Sequence, residues 1–378
     1  MQKGEESKLR DYIRALPAAI PTPLHWTQQQ LDLLQYQPLV QEVEEQRESW
    51  NKLYESYCKS CSDRQAIAPI EMFVHAIECV RSRTFSGPYE GSNWDTRVKQ
   101  YGLVLVLAVG YVLGGFGEVY QAINGALTVF LFTLFRDLIQ QRNPRSIRYV
   151  LCPVLDMFNH NATVESNASY EYFRNTFTLT VNSGVSENEE VFISYGKRGN
   201  DELMQYYGFV VPDNLADSYV MCNFVDKAVY TARGGGFCSD DEDEDTFAKR
   251  VGMLKDDRVV VRPKLRGLTD RCLQTLRVLV ASKEELKGRA ALLDFSSKVS
   301  DDNEAKAYKL MCGVCERELS ESLPTTLEED QTMLNNLLTA KKKFLDEELN
   351  ETGVKIQALQ FRIAKKQVLK TFMKLNNQ

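Results

Sequence analysis

The apolar positions of this chain change period twice along its length, and each change marks a segment of different kind. From residue 1 to 85 the spacing is helical. Thr27 followed by Gln30 is a capping-box pattern that opens a helix through Leu31 and Leu34. Val40, Val43, Trp50, Leu53, Tyr54 and Tyr57 then recur at helical intervals. A further helix follows Pro69, with Ile70, Phe73, Ile77 and Val80 on one face, and runs into Arg81-Ser82-Arg83-Thr84-Phe85. Gly, Pro, Ser and Asn between Ser86 and Asn93 mark a loop.

The most apolar stretch lies between Tyr101 and Phe135. No charge falls between Tyr101 and Gly117, and Ala122 to Phe135 is nearly as apolar, with Glu118 and Gln121 between the two halves. A membrane-spanning helix needs about 20 apolar residues, and 18 is the usual lower limit. Each half falls short, and Gly114-Gly115-Phe116-Gly117 breaks the run. The pattern predicts a pair of buried helices inside a domain, with a membrane hairpin as the alternative.

From Tyr149 the period shortens. Tyr149 to Cys152 is a short apolar run that reads as a buried strand stopped by Pro153. Phe177, Leu179 and Val181 alternate with threonines as a half-buried strand does, Asn182-Ser183-Gly184 turns the chain, and Val191 to Tyr195 reads as another strand. This β-rich section ends near Gly208-Phe209. A glycine triplet, Gly234 to Gly236, precedes an acidic run from Asp240 to Asp245, which reads as a solvated surface loop. Beyond it the pattern is helical. Leu265, Leu268, Cys272, Leu276 and Leu279 form one stripe. Pro324, Thr326 and Glu329 make a helix start ahead of Leu334, Leu337, Leu338 and Leu345, and Ile356, Leu359 and Ile363 form a last stripe.

Composition narrows the function. The net charge of -6 and pI near 5.4 argue against a nucleic-acid partner, which calls for a basic surface. Nine cysteines in 378 residues, an odd count, favour a reducing compartment with free thiols over a disulfide scaffold. Cys58/Cys61 and Cys312/Cys315 have zinc-ligand spacing, but the pairs lie far apart in sequence, on helical segments and without an accompanying His, so unrelated thiols are expected. The charged N-terminus carries no signal or transit pattern, which leaves plastid and cytoplasm both open.

Only three histidines are present. His25 lies near a helix start and His75 within a helix of ordinary pattern, and both read as structural or exposed. His160 ends Pro153-Val154-Leu155-Asp156-Met157-Phe158-Asn159-His160, where polar side chains crowd a bend beside the expected core. Such groups must be hydrogen-bonded, so they either staple a turn or hold a ligand. A second cluster runs from Val191 through Ser194-Tyr195-Gly196 to Gln205-Tyr206-Tyr207-Gly208-Phe209. It is either an aromatic packing corner or a phenol placed to meet a substrate nitrogen beside an aromatic wall. No Gly-x-Ser-x-Gly elbow, P-loop or His-Glu-x-x-His occurs.

In this order and spacing the two clusters resemble the C-terminal half of a SET domain. The longer pattern is Ser-Arg-x-Phe, then Pro-x-x-Asp-Met-x-Asn-His, then Ile-Ser-Tyr-Gly, then Tyr-Gly-Phe. It is similar to the Rubisco large-subunit lysine methyltransferase type, whose branch includes actin-histidine methyltransferases. The resemblance implies an α+β fold: a SET-type β-rich core with a large helical insert, followed by an all-helical C-terminal domain. It places a partial SET domain at 1–212, with the helical insert at 1–85 and the apolar helical block at 101–135. A helical, substrate-binding-like domain follows at 213–378, with the acidic loop at 239–245. SET domains of this type begin with a Gly-rich segment and several strands; none is legible before residue 85, so the chain is expected to start inside the domain. Gly199-Asn200 stands where Ser-Asn is more usual.

Carried over by position, Asn159 and His160 would hold S-adenosylmethionine and Asp156 would support the same loop. Arg83 would face the cofactor carboxylate, a contact suited to guanidinium geometry. Tyr207 and Phe209 would lie near the cofactor or the target channel, and Tyr195 would be the catalytic tyrosine. No metal is called for. The implied activity is methyl transfer to a lysine of a protein substrate by a monomeric enzyme. The alternatives are a histidine acceptor, a non-catalytic protein- or peptide-binding relative, and a membrane-associated protein using residues 101–135.

Overall fold

A computed structural model describes residues 9–62, 67–87, 94–142, 148–171, 176–182, 184–235, 258–264, 267–287, 292–341 and 349–377, together with 237, 251–252, 254 and 289. The helices, in chain order, are α1 (Arg10–Ala15), α2 (Gln28–Asp32), α3 (Gln37–Ser60), α4 (Ile70–Arg83), α5 (Trp94–Leu113), α6 (Val119–Arg142), α7 (Asn200–Tyr207), α8 (Phe224–Gly234), α9 (Asp270–Val280), α10 (Lys283–Leu286), α11 (Asp301–Arg317), α12 (Leu327–Lys341) and α13 (Leu349–Asn376). The strands are β1 (Thr84–Gly87), β2 (Arg148–Leu151), β3 (Asn159–His160), β4 (Ser166–Glu171), β5 (Thr176–Val181), β6 (Phe192–Ile193), β7 (Tyr219–Cys222) and β8 (Arg258–Val261). They group into two compact units, one of residues 1–17 with 72–196 and one of residues 18–71 with 197–378. The acidic run 240–245 and Gly236 fall outside the described residues.

In the first unit, α4 passes at Arg83 directly into β1, which pairs antiparallel with β2 in the register Thr84↔Leu151 to Gly87↔Arg148. That register brings the end of β2, and the Pro153 turn after it, back to Arg83. The strand is not the buried one expected from its apolar run: Tyr149 is 66% exposed and Leu151 37%. β4 and β5 form an antiparallel ladder from Ser166↔Val181 to Glu171↔Thr176. Asn159 and His160 of β3 pair in parallel with Phe192 and Ile193 of β6.

Between β1 and β2 the chain makes the α5–α6 hairpin. Its break falls at the glycines, with Gly115 at φ +71°, a conformation only glycine adopts cheaply. The two helices touch, Tyr101 against Phe130 with ring centroids 5.6 Å apart, but they are not buried as the sequence led us to expect. Leu105 is 65% exposed, Val106 67%, Leu113 82% and Phe132 67%. Through Tyr101–Leu113 and Ala122–Phe135 both helices carry apolar residues on every face, and a pair can cover only the stripe each turns to the other. No helix among the described residues is long and apolar enough to cross a membrane.

The second unit carries the main core. Leu31, Leu34, Leu39 and Val43 from the 18–71 segment share one cluster with Leu276 and Leu279 of α9, Met311 and Val314 of α11, and Phe361 and Phe372 of α13. The Thr27 capping box opens α2 as expected, and Thr326 and Glu329 exchange reciprocal bonds at the start of α12. β7 and β8 pair antiparallel within this largely helical unit. The helical stripes gave no sign of these two strands. Buried ion pairs lace the core: Arg362 and Lys366 both meet Asp330, and Lys365 meets Asp217 at 2.7 Å. Removing one partner of such a pair typically costs about 3–5 kcal/mol, because the other charge stays buried alone.

Two of the sequence-level peculiarities find their reason here. Gly199 begins α7 without a side-chain cap, and Asp217 supplies one instead, its Oδ1 accepting from the Asn200 N–H at 2.9 Å. Gly208 ends the same helix at φ +74°, where a Cβ would stand 2.5 Å from the Pro21 carbonyl oxygen. Glycine in the Tyr-Gly-Phe motif is thus demanded twice, by backbone angle and by space.

Candidate active site

The first unit assembles its polar groups around the turn that links β2 to β3. After Cys152 the chain bends through Val154, whose φ of +78° is a strained value for a β-branched residue, into a single 3-10 turn at Leu155–Met157. The Asp156 N–H is caught by the Cys152 carbonyl at 3.0 Å. Asp156 is thereby sunk to 7% exposure. Its carboxylate accepts a hydrogen bond from the Tyr12 hydroxyl, while its other oxygen, Oδ1, is buried without a partner.

Arg83, delivered by the α4–β1 junction, reaches the same turn. Its Nη1 donates to the Asp156 carbonyl oxygen at 2.9 Å and lies 3.2 Å from the Met157 sulfur. Its Nε is buried and has no partner. An orphaned buried donor and an orphaned buried acceptor therefore sit on residues that touch each other. Unpaired groups of this kind are rare in folded proteins and ask for a ligand or water.

The phenol expected from the second cluster lies beside the first. β3–β6 pairing sets His160 opposite Ile193, and two residues later the Tyr195 ring stacks on the imidazole, centroids 5.1 Å apart and planes 25° from parallel. The Tyr195 N–H donates to His160 Nδ1 at 3.1 Å. A ring nitrogen that accepts cannot also carry a proton, so the neutral imidazole holds its proton on Nε2. The Ile193 carbonyl, 3.3 Å from Nδ1, is then a near neighbour and not an acceptor for it. The Tyr195 hydroxyl donates to the Phe158 carbonyl at 2.8 Å. Gly196 turns the chain immediately after at φ +91°. Asn159 lies at the more open edge and donates its side-chain amide to Glu190 at 2.6 Å.

Tyr207 and Phe209 belong to the second unit. Their rings meet edge to face with centroids 6.1 Å apart, and the Arg198 guanidinium lies 5.6 Å from the Tyr207 centroid. The structure thus gathers Arg83, Asp156, Asn159, His160 and Tyr195 in one unit and the two aromatics in the other. Sequence reasoning missed Tyr12, which stands 144 positions before its partner Asp156. Burial, and then the neighbouring Asp156 carboxylate, push its phenol well above the ordinary range, so it stays a protonated donor.

The cysteine pairs form no centre of their own. Cys312 and Cys315 lie in the core on α11, where burial raises both thiols, that of Cys312 to about 11. No group of three or more His, Cys, Asp or Glu arranged to hold a metal occurs among the described residues.

Comparison with solved structures identifies the fold. The chain aligns over its full length with 72% of Rubisco LSMT bound to sinefungin and monomethyllysine, at TM-score 0.55 and 18% identity. A second structure, Rubisco LSMT bound to AdoMet, aligns with TM-score 0.53 and 19% identity over 99% of this chain and 71% of that one. The chain has the Rubisco LSMT fold. Its α+β class, with β-rich and helical regions, is the one that the Asn-His and Ser-Tyr-Gly motifs implied. Residues 242–369 match the family described as Rubisco LSMT substrate-binding. Among curated relatives, Ribosomal lysine N-methyltransferase 1 of Saccharomyces cerevisiae is 24% identical over 218 residues, 57% of this chain and 34% of the relative. SET domain-containing protein 4 of Homo sapiens is 25% identical over 206 residues, 53% of this chain and 44% of the relative. The chain thus aligns with less than half of each of these relatives. The suspected likeness to SET-domain methyltransferases of the Rubisco LSMT type stands on all three comparisons.

Proposed function

We propose that this protein is an S-adenosylmethionine-dependent protein methyltransferase that acts on a lysine side chain. The carrying observation is the position of Tyr195, whose N–H engages His160 and whose hydroxyl engages the Phe158 carbonyl, so that the phenol is held against the Asn-His segment. The names of the curated relatives and the ligands of the solved neighbours support the same reading.

The residues present fit that cofactor. Arg83 Nε and Asp156 Oδ1, one buried donor and one buried acceptor, suit the carboxylate and ammonium of an amino-acid end. Asn159 and His160 border the same loop. When bound, S-adenosylmethionine supplies a methyl group on a positively charged sulfur. The protein's own task is to deliver a neutral amine in line with it. A free lysine has a pKa near 10.4, so fewer than about one in a thousand is neutral at pH 7. Loss of that proton to water must precede attack, and the Tyr195 oxygen, fixed by its bond to Phe158, is an acceptor that can orient the remaining N–H groups. Closing the site against water would keep the lone pair free. The substrate would be a protein, and residues 242–369 are the proposed docking region for it.

The test is calorimetric titration of the 378-residue chain with S-adenosylmethionine, followed by methyl transfer to a protein acceptor. Binding that Asn159→Ala abolishes, and turnover that Tyr195→Phe reduces with the fold intact, are expected. Binding with turnover absent in the wild type would leave a cofactor- or peptide-binding relative instead.

A further inference from the structure

We propose that Tyr12 is a positioning residue of this site: its hydroxyl holds the Asp156 carboxylate so that the second oxygen stays available to a cationic ligand. The inference rests on the reading that the Arg83–Asp156 turn receives S-adenosylmethionine. Three elements converge on Asp156, namely α1 with Tyr12 at the carboxylate, the α4–β1 junction with Arg83 at the carbonyl oxygen, and the strained turn that carries the residue itself. α1 has only six residues, too few to stand as an isolated helix. The segment after it is held at Pro17, whose carbonyl oxygen lies 2.9 Å from Nε2 of His75 on α4. Tyr12 is therefore brought to Asp156 by the tertiary structure of the unit.

A carboxylate at 7% exposure is costly unless its charge is met. Arg83, the neighbouring cation, spends its Nη1 on the Asp156 carbonyl and the Met157 sulfur. Tyr12 is the described donor to the carboxylate, and it leaves Oδ1 bare. A turn built only for stability would have capped both oxygens or used an apolar side chain. A carboxylate pinned at one oxygen and open at the other is arranged for a positive group, and the cofactor carries two, its ammonium and its sulfonium. The Tyr12 phenol remains protonated throughout the physiological range and keeps this arrangement without adding charge.

The test is a double-mutant cycle read in ligand affinity. Wild type, Tyr12→Phe, Asp156→Asn and the double variant are titrated with S-adenosylmethionine and with S-adenosylhomocysteine, which lacks the sulfonium charge, and their melting temperatures are recorded. Tyr12→Phe keeps the ring and removes the hydroxyl; about a tenfold loss of S-adenosylmethionine affinity is expected, the size of one hydrogen bond to a charged group. The double variant should bind no more weakly than Asp156→Asn alone, because Tyr12 acts through that carboxylate. A comparable loss for S-adenosylhomocysteine is expected, since it keeps the ammonium that Asp156 Oδ1 would meet. If Tyr12→Phe binds as wild type, or if the two losses multiply as independent effects, the proposal falls. A lowered melting temperature with unchanged affinity marks a purely structural role and also overturns it. Should Tyr12→Phe fail to fold, Tyr12→Met carries the same arms. Absence of binding in the wild type would remove the cofactor reading itself, a result visible before any variant is compared.

Discussion

Arg83 reaches 73 positions along the chain to donate to the Asp156 carbonyl at 2.9 Å, and it does so with one nitrogen while Nε stays buried and unpaired. Antiparallel β1–β2 pairing makes the reach possible, since the register that sets Thr84 against Leu151 brings the turn back to the end of α4. The guanidinium is thus anchored at one end and open at the other.

Arg83→Lys separates these two uses. A lysine amine can meet the Asp156 carbonyl but cannot also present a second fixed donor. We expect the variant to fold normally and to bind S-adenosylmethionine about tenfold more weakly, by calorimetry. Unchanged affinity would mean that Nε has no ligand to meet.

Val154 should show the cost of the turn. Its φ of +78° is unfavourable for a β-branched side chain, and it is 69% exposed, so little packing is lost on shortening it. Val154→Gly relieves strain of about 1–3 kcal/mol, offset in part by glycine's greater unfolded-state freedom of about 0.5–1 kcal/mol. Chemical denaturation should find the variant more stable by roughly 1 kcal/mol.

Alkaline pH should destabilise the second unit through Tyr219. Its buried hydroxyl donates to Glu318 at 2.9 Å, and burial first, then the Glu318 carboxylate, push the phenol far above its ordinary value. Unfolded, the same phenol ionises near pH 10. Above that pH the unfolded chain releases a proton that the folded chain keeps, so stability is full below pH ~10 and falls as pH rises. Tyr219→Phe should cost about 1–3 kcal/mol at neutral pH, by loss of the bond to a charged group, and should flatten the alkaline slope. An unaltered slope would assign the alkaline loss to other groups, such as the likewise raised Tyr36.

The α5–α6 hairpin should be visible in solution as apolar surface. Leu105, Leu107 and Phe132 are each more than half exposed. Replacing all three with Gln should lower the fluorescence of a dye that reports exposed apolar surface, and each exposed change should alter stability by no more than about 0.5 kcal/mol. A large fall in melting temperature would instead mean that these side chains are packed.

Much of the local structure was legible from residue order. The Thr27–Gln30 and Thr326–Glu329 caps, the helix after Pro69, the alternating strand at Phe177–Val181 and the glycine break at Gly114–Gly117 all depend on neighbours a few positions apart. Short-range patterns of this kind carry their own physics, because periodicity and capping need no distant partner. The motifs around Asn159, His160 and Tyr195 were legible for the same reason. Their juxtaposition could be expected only through resemblance.

Burial and long-range pairing were decided by the tertiary structure. Apolar periodicity says that a side chain favours cover, not that the fold supplies any, and so Tyr149 and the α5–α6 side chains stand exposed where cover was expected. The β7–β8 pair escaped notice because each strand is only four residues long and its partner lies far along the chain. Tyr12 gave no signal at all, since a phenol on a six-residue helix gains its meaning from a carboxylate 144 positions away. The sequence alone determined which chemistry-bearing residues this protein has and how each sits on its own strand or turn. Which buried oxygen is capped, which nitrogen is left open and which tyrosine does the capping depended on contacts that only folding creates, because a hydrogen bond is fixed by distance in space and not by distance along the chain.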